Sequence, residues 1–247
     1  MCTLTWFRRG AGFELFFNRD ERLTRPRGLA PRVHERAGRR WIAPSDPEGG
    51  GTWIGVNEFG VCVALLNGYL RADEASRSWV SRGELVDGVL DAASAREVEV
   101  RVRKRELERY RSFTLVAVDP AHPALIATWD GREAGFDRRA EGVPPICSSS
   151  LDPTGATRAR RELFASLHAR HGNVDGELLE RFHTSHAPAR GALSPCMHRD
   201  DAATQSFTRV RVDGEHVELH YSPGAPCEAR PSERFELARA PHHHVRS

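Results

Sequence analysis

The sequence begins Met1-Cys2-Thr3-Leu4-Thr5-Trp6-Phe7 and, after a short loop with two glycines, continues Phe13-Glu14-Leu15-Phe16-Phe17-Asn18-Arg19-Asp20-Glu21. Residues 3–7 alternate polar and apolar side chains and residues 13–17 are rich in aromatic ones, which predicts two strands. Two strands joined by a short glycine turn form a hairpin. The hairpin returns the chain beside its own start, so residues 18–21 are predicted to emerge near Cys2.

Cys2 is the candidate nucleophile of this stretch. Removal of Met1 would leave a chain that begins with cysteine, so that one residue carries both a thiol and a free α-amine. Their ordinary pKa values, about 8.5 and about 7.7–8.0, allow the amine to accept the proton of the thiol near neutral pH. An N-terminal residue that uses its own amine as base is an established acyl-transfer arrangement. The alternative is a cysteine that packs as a small apolar residue.

The polar run Asn18-Arg19-Asp20-Glu21 directly follows an apolar strand. Such a run is costly to bury unless its groups pair with each other or with a ligand. One interpretation is that Arg19 and Asp20 orient the amine and thiol of Cys2 and favour the thiolate. The simpler interpretation is a solvated strand end.

These motifs resemble the NRDE family, also called the transport and Golgi organisation 2 family, which is named after the tetrapeptide 18–21. A second block, residues 50–57 followed by 60–67, is similar to the next motif of that family. The family in turn resembles the N-terminal-nucleophile hydrolases, especially the penicillin V acylase and bile salt hydrolase branch. In that branch a carboxylate assists the nucleophile, and either Asp20 or Glu21 could take this role.

Fold and function follow from the resemblance as expectations. The order of predicted strands and helices indicates the α+β class, and the resemblance implies a four-layer αββα sandwich of two mainly antiparallel sheets between helix layers. It also implies cleavage of a linear or cyclic carbon–nitrogen amide of a small molecule. The expected catalytic residues are Cys2, Arg19, Asp20 and Asn67, and the expected substrate-binding residues are Asn18, Glu21, Ser149, His198 and Arg199. The alternatives are a non-catalytic protein that handles haem or lipid, or a pocket that has lost activity.

Asn67 and the serine run 148–150 each allow two interpretations. Asn67 ends an apolar strand and could donate to an oxyanion, worth about 2.7–4 kcal/mol in comparable sites, or could simply occupy the turn before Gly68. The family resemblance favours the first role. Ser148–Ser150 stands where relatives carry an asparagine, and these hydroxyls could instead cap the helix that follows. His198 and Arg199 lie in a block similar to one in bacterial family members, and the arginine could hold a carboxylate.

The five cysteines are widely spaced and predict free thiols rather than a disulfide framework. Cys196 and His198 could combine with Cys227 and with His183 or His186 in a zinc site. Their spacing matches no standard Cys/His ligand pattern, so the sequence predicts neither a metal nor another cofactor.

Composition limits the remaining possibilities. The chain has 247 residues, which suits one domain over residues 1–230 with a loose polar tail at 231–247. The net charge of +2 argues against nucleic acid as a partner. Neither a membrane span nor a signal peptide is evident. We therefore expect a cytoplasmic protein with a small-molecule partner; the sequence leaves its oligomeric state open.

Two further expectations concern local structure. Residues 23–40, rich in Pro, Gly and Arg, are predicted to form a loop that walls the pocket. Helices are predicted after Ser81, over residues 93–110, 157–169 and 175–182, and further strands over residues 52–57, 61–67, 114–118, 124–129, 204–212 and 215–221.

Overall fold

The computed structural model describes residues 2–69, 78–139, 145–228 and 231–240. Over these ranges the chain forms two antiparallel sheets, which confirms the α+β class. The first sheet contains, in spatial order, β10 (Ile146–Ser148), β1 (Cys2–Arg9), β2 (Gly12–Arg22), β11 (Ala202–Val212), β12 (His216–Pro223) and β13 (Glu233–Ala238). The second contains β3 (Leu29–Arg36), β4 (Arg39–Ser45), β5 (Ile54–Asn57), β6 (Cys62–Asn67), β7 (Phe113–Val118), β8 (Ala124–Trp129) and β9 (Ala134–Arg139).

The main core lies between the two sheets. Successive side chains of a strand point to opposite faces of its sheet, so Leu4 and Trp6 of β1 reach this core together with Leu15 and Phe17 of β2. The second sheet contributes residues such as Val56 of β5. These side chains are completely or almost completely buried, and their burial supplies the main driving force for stacking the sheets.

Helices cover the outer face of each sheet, which completes the four layers that the family resemblance implies. The helices are α1 (Arg82–Asp87), α2 (Ala95–Arg103), α3 (Pro153–His171) and α4 (Gly176–Thr184). The apolar residues of α1 and α2 pack on the second sheet, and those of α3 and α4 pack around Phe16 on the first. None of the helices in the described ranges combines the length and apolarity needed to cross a bilayer.

The predicted N-terminal hairpin is confirmed. β1 and β2 pair antiparallel, with Cys2 opposite Arg19 and Thr3 opposite Asn18. β11 pairs with the other edge of β2 and places Thr204 opposite Asp20. The start of the chain therefore lies inside the sheet, between β10 and β2.

Three local expectations were wrong. Residues 23–40 are not a loop, because β3 and β4 form a hairpin there; β3 is an exposed edge strand, where Pro31 and charged side chains are tolerated. The helix expected over residues 93–110 ends at Arg103, and a short 3-10 turn follows at Leu107–Arg109. Part of the expected loose tail is ordered, since β13 pairs with β12.

Two backbone segments that line the cleft described below approach each other closely. Gly51 has φ of +66°, and a Cβ atom there would lie 2.3 Å from the carbonyl carbon of Gly83 in α1. Thr52 N–H donates to the carbonyl of the same Gly83 at 3.3 Å. Only a glycine at position 51 allows this contact.

Gly51→Ala is expected to reduce the free energy of unfolding by about 2–5 kcal/mol. The left-handed backbone contributes about 1–2 kcal/mol and the overpacking about 1–3 kcal/mol. Gly50→Ala is the matched control, because Gly50 has the same φ of +66° but a Cβ atom there would meet nothing within 4 Å. The control should lose only about 1–2 kcal/mol in urea unfolding. Equal losses in the two variants would show that the contact with Gly83 is unimportant.

Candidate active site

A cleft of about 830 Å³ opens where the ends of β1 and β2 meet β6 and the start of α1. Five of the predicted site residues line it: Cys2, Arg19, Asp20, Glu21 and Asn67. The fold thus brings together residues from the first 21 positions and from the second sequence block. Of residues 23–40, Arg25 is the one that lines this cleft in the described part of the chain.

Cys2 is the first residue of β1 and lies between Arg19 of β2 and Ser148 of β10. Its side chain is buried, with an exposed fraction of 5% for the residue. Burial raises the pKa of the Cys2 thiol, and the charge of the Asp20 carboxylate adds to this effect, whereas the positive amino terminus at Met1, the N–H of Asp20 and the guanidinium of Arg19 oppose it. The thiol is therefore the favoured form of this side chain, and Arg19 and the N–H of Asp20 are neighbours that favour the thiolate.

Arg19 belongs to a network of alternating charges. Its guanidinium stacks over the Trp53 ring at 4.2 Å, and its Nη2 lies 3.3 Å from Glu21 Oε2 and 3.4 Å from Asp46 Oδ2. Arg25 contacts the same two carboxylates, at 2.9 and 3.0 Å. Glu21 is thus engaged by two arginines, and Arg19 is held in place by its neighbours.

Asp20 borders the cleft, but its carboxylate lies toward the opposite face of β2, as the alternation of a strand requires. Its Oδ1 accepts a hydrogen bond from the Thr204 hydroxyl at 2.7 Å, and its Oδ2 lies 3.6 Å from Arg160 Nη2. Burial raises the pKa of Asp20, whereas the charges of Arg160 and of the amino terminus lower it. Of the two carboxylates that the sequence left open, Asp20 is buried beside Arg160 and Thr204, whereas Glu21 pairs with Arg19 and Arg25 in the cleft.

Arg160 is a functional candidate that the sequence reading missed. It lies on α3 and is completely buried; its Nη1 donates to Thr3 Oγ1 at 2.6 Å and to the carbonyl of Cys2 at 3.4 Å. Its other N–H groups reach the carbonyls of Ala192 and Leu193. This arginine joins the start of β1, the carboxylate of Asp20 and the loop before β11. Its helical spacing could have revealed it, because Arg160 lies on the same buried stripe of α3 as Ala156 and Leu167.

Asn67 ends β6 on the side of the cleft that belongs to the second sheet. Near it, Arg82 lines the cleft and donates through Nη1 to the carbonyl of Ser112 at 2.8 Å and to that of Gly68 at 3.3 Å. Arg109 and Arg111 also line this wall. This part of the lining therefore combines an amide with three guanidinium groups.

Comparison with known proteins identifies the family. The family model described as transport and Golgi organisation 2 matches residues 1–209. The chain belongs to that family. No curated protein matches the sequence.

Solved structures of similar fold are N-terminal-nucleophile hydrolases. A variant of conjugated bile acid hydrolase from Clostridium perfringens is 9% identical, with 99% of this chain and 100% of that chain covered and a TM-score of 0.60. Penicillin V acylase from Agrobacterium tumefaciens is 12% identical over 96% and 86% of the two chains, with a TM-score of 0.51. The Caenorhabditis elegans ortholog of N-acylethanolamine-hydrolyzing acid amidase is 12% identical over 85% and 92%, with a TM-score of 0.55. At these identities the likeness shows the fold of this family member.

Four predicted substrate-binding residues lie away from the described lining of the cleft: Asn18, Ser149, His198 and Arg199. Asn18 is completely buried and donates its amide to the carbonyls of His183 and Pro195, at 2.9 Å each. It points to the helix face because it alternates with Arg19 along β2. Its position indicates a structural role.

The other three have neighbours of their own. Ser149 is buried and accepts a hydrogen bond from the N–H of Asp152, and Asp152, rather than a serine, caps α3. Arg199 pairs with Asp201 at 2.6 Å. His198 lies in a cluster with His186, Cys196 and Cys227, the group of side chains in the described ranges that could hold a metal ion.

Proposed function

We propose that this family member is an N-terminal-nucleophile amidohydrolase that cleaves a carbon–nitrogen amide of a small molecule. The observation that carries the proposal is the position of Cys2, at the start of β1 in a cleft that Arg19, Asp20 and Asn67 also line. The structures of similar fold are by name a conjugated bile acid hydrolase, a penicillin V acylase and an acid amidase. Both lines of support point to the same class of reaction.

The proposed reaction begins after removal of Met1. The α-amine of Cys2 takes the proton of the thiol, and the thiolate attacks the carbonyl carbon of the amide. Asn67 donates a hydrogen bond to the oxyanion that forms. The α-amine then passes its proton to the leaving amine as the C–N bond breaks, which leaves a thioester on Cys2. Water hydrolyses the thioester, releases the carboxylic acid and restores the thiol.

Arg19 and Asp20 have separate tasks in this proposal. Arg19 lies on the cleft side, where its charge favours the thiolate. Asp20 lies on the helix side, beside Arg160 and Thr204, and its carboxylate is assigned the task of supporting the α-amine that removal of Met1 exposes, which is protonated between the two proton transfers. The alternation of β2 makes this division possible, because neighbouring residues of a strand reach opposite faces.

The lining of the cleft favours a substrate with an anionic group. Arg19 and Arg25 are neutralised by Glu21 and Asp46. The lining also carries Arg82, Arg109 and Arg111 together with Glu84, and Arg109 pairs with the exposed Glu106, so arginines remain in excess. Guanidinium groups bind carboxylates and phosphates through charge-assisted hydrogen bonds. A cleft with this many charged side chains suits a polar amide better than haem or a lipid chain.

The test is covalent labelling with electrophilic amide and lactone probes, read by intact mass and by peptide mass spectrometry. We expect the purified chain to lack Met1 and the probe to modify Cys2. Two probes that differ only in the presence of a carboxylate should react with Cys2 at different rates. The anionic probe should react at least about tenfold faster, which is the effect expected of one hydrogen bond to a charged group. Retention of Met1, or modification of the other cysteines with Cys2 untouched, would contradict the proposal.

A further inference from the structure

Four potential metal ligands converge beside the first sheet, away from the cleft. They are His186, which follows α4; Cys196 and His198, which precede β11; and Cys227, which follows β12. The ligand atoms of the four side chains all lie within 4.8 Å of one another. His198 Nε2 is 3.4 Å from Cys196 Sγ and 3.3 Å from Cys227 Sγ.

These distances suit a tetrahedral ion. Zinc binds thiolate sulfur at about 2.3 Å and imidazole nitrogen at about 2.0–2.1 Å, so a sulfur–nitrogen edge of a tetrahedral site measures about 3.6 Å. The two sulfur–nitrogen distances at His198 lie close to that value. Small shifts of the side chains would complete the coordination.

The environment of the cluster also favours a metal. Cys196 is completely buried, and Nε2 of His186 is buried and has no hydrogen-bond partner among the described residues. A buried polar nitrogen without a partner costs about 1–3 kcal/mol. The rings of His186 and His198 lie edge to face, with centroids 5.2 Å apart. A bound cation between them would remove this cost.

One contact of His198 has to change when a metal ion binds. Arg190 Nη2 lies 3.2 Å from Nδ1 of His198. Ligation through Nε2 leaves the proton of the imidazole on Nδ1, which cannot then accept from an arginine. Arg190 is exposed, so its side chain can turn into solvent.

We propose that His186, Cys196, His198 and Cys227 form a structural zinc site. Two thiolates and two imidazoles are a ligand set that zinc prefers, and the two thiolates balance its charge. Four protein ligands leave no open position, which is typical of structural rather than catalytic zinc. The chain spacing gave no indication of this site, because the tertiary fold brings together three separate segments.

The site would also support the carboxylate behind the nucleophile. Met197, between two of the ligands, exchanges hydrogen bonds with Thr204: its N–H donates to Thr204 Oγ1 and its carbonyl accepts from Thr204 N–H, both at 2.9 Å. The same Thr204 hydroxyl donates to Asp20. Zinc bound to Cys196 and His198 would therefore fix the segment that holds Asp20.

The experiment measures metal content. The full chain is produced without an affinity tag and with His242→Gln, His243→Gln and His244→Gln, so that the histidine run near the C-terminus contributes no binding. After chelation under reducing conditions, Zn²⁺ is added, the chain is dialysed and bound zinc is quantified. We expect about one zinc per chain, and less than roughly a tenth of that in Cys227→Ser and His198→Gln.

Matched controls separate the site from general thiol or imidazole binding. Cys147→Ser and His216→Gln, which change residues outside the cluster, should keep the full zinc content. Cys2→Ala should also keep it, so failure of the proposed catalysis and failure of the zinc site are distinguishable. Co²⁺ should give the visible absorption of a tetrahedral ion and a thiolate-to-cobalt band. Chelation should lower the melting temperature of the chain that carries all four ligands but not that of the Cys227→Ser variant. Position 227 is exposed, so the substitution itself should leave the fold intact.

Three outcomes would overturn the proposal: zinc near zero in the reconstituted chain, equal zinc in the cluster variants and the controls, or a Cys196–Cys227 disulfide in the purified chain that binds no metal after reduction.

Discussion

Cys2→Ala is expected to reduce amide turnover and covalent labelling to background, a loss on the order of 10⁶-fold, as when the nucleophile of a comparable hydrolase is removed. The reason is that alanine offers no group to form the thioester, although the α-amine and the cleft remain. Cys2→Ser should retain slow activity because a hydroxyl can still be acylated. The measurement is kcat/KM for the best amide found with the probe panel.

The controls for this series follow from the structure. Cys147→Ser changes the thiol of a neighbouring strand that pairs with β1 but does not line the described cleft, so it should keep its activity. Asn67→Leu should lower kcat by about 10²–10³-fold with little effect on KM, because the amide is required only in the transition state. If Cys2→Ala retained turnover, the nucleophile would have to lie elsewhere.

The same reaction has a predictable dependence on pH. Burial raises the pKa of the Cys2 thiol more than the neighbouring positive charges lower it, so its thiolate is scarce at neutral pH. Labelling by a neutral electrophile should therefore accelerate as the pH rises through the weakly alkaline range. A rate that is independent of pH in this range would indicate a thiol outside this environment.

Arg160→Met is expected to reduce the free energy of unfolding by about 3–5 kcal/mol, the usual cost of removing one partner from a buried ion pair. Arg160 and Asp20 are both completely buried at their side chains, and the arginine also donates to Thr3 and to carbonyls on two segments. Methionine fills much of the volume but leaves these acceptors without their donor. Urea unfolding followed by circular dichroism measures the loss.

Arg158→Met is the matched control for Arg160→Met. Arg158 lies on the same helix but is exposed, so its loss should stay within about 0.5 kcal/mol. Asp20→Asn in the Arg160→Met background should recover part of the stability, because it removes the charge that the first substitution leaves uncompensated. Strictly additive effects of the two substitutions would show that the pair is not coupled.

The loss of stability caused by Arg160→Met depends on pH. Burial already raises the pKa of Asp20, and removal of the Arg160 charge, which lowers it, would raise it further. Below that raised pKa the carboxyl is protonated and no charge is left unpaired. The difference in stability between Arg160→Met and the unsubstituted chain should therefore be largest above the raised pKa of Asp20 in the variant, and should shrink as the pH falls below that pKa toward the lower pKa of Asp20 in the unsubstituted chain.

Local sequence patterns were sufficient to predict the strands near the start of the chain. The alternation of residues 3–7, the glycines of the turn and the apolar run 13–17 predict the first hairpin, and the structure confirms it with Cys2 opposite Arg19. The apolar run that ends at Asn67 was likewise identified as a buried strand. Such elements are encoded by periodicity and turn residues within a few positions of one another.

Edge strands and buried polar side chains were harder to predict. β3 and β13 lie at the edges of their sheets and carry exposed, charged sequences that resemble loops. In the sequence alone, Arg160 resembles the many surface arginines. Only the packing of α3 against the first sheet shows that it is buried. Asn18 was grouped with Arg19, although the alternation of β2 sends the two side chains to opposite faces.

The sequence by itself determined the N-terminal hairpin, the α+β class and the neighbourhood of Cys2, Arg19 and Asp20, because these depend on short-range pattern and on a turn of fixed length. Only the tertiary structure decided that Arg160 pairs with Asp20 and that His186, Cys196, His198 and Cys227 come together. Those contacts join segments far apart in the chain, and their geometry depends on how helices and sheets pack rather than on local residue spacing.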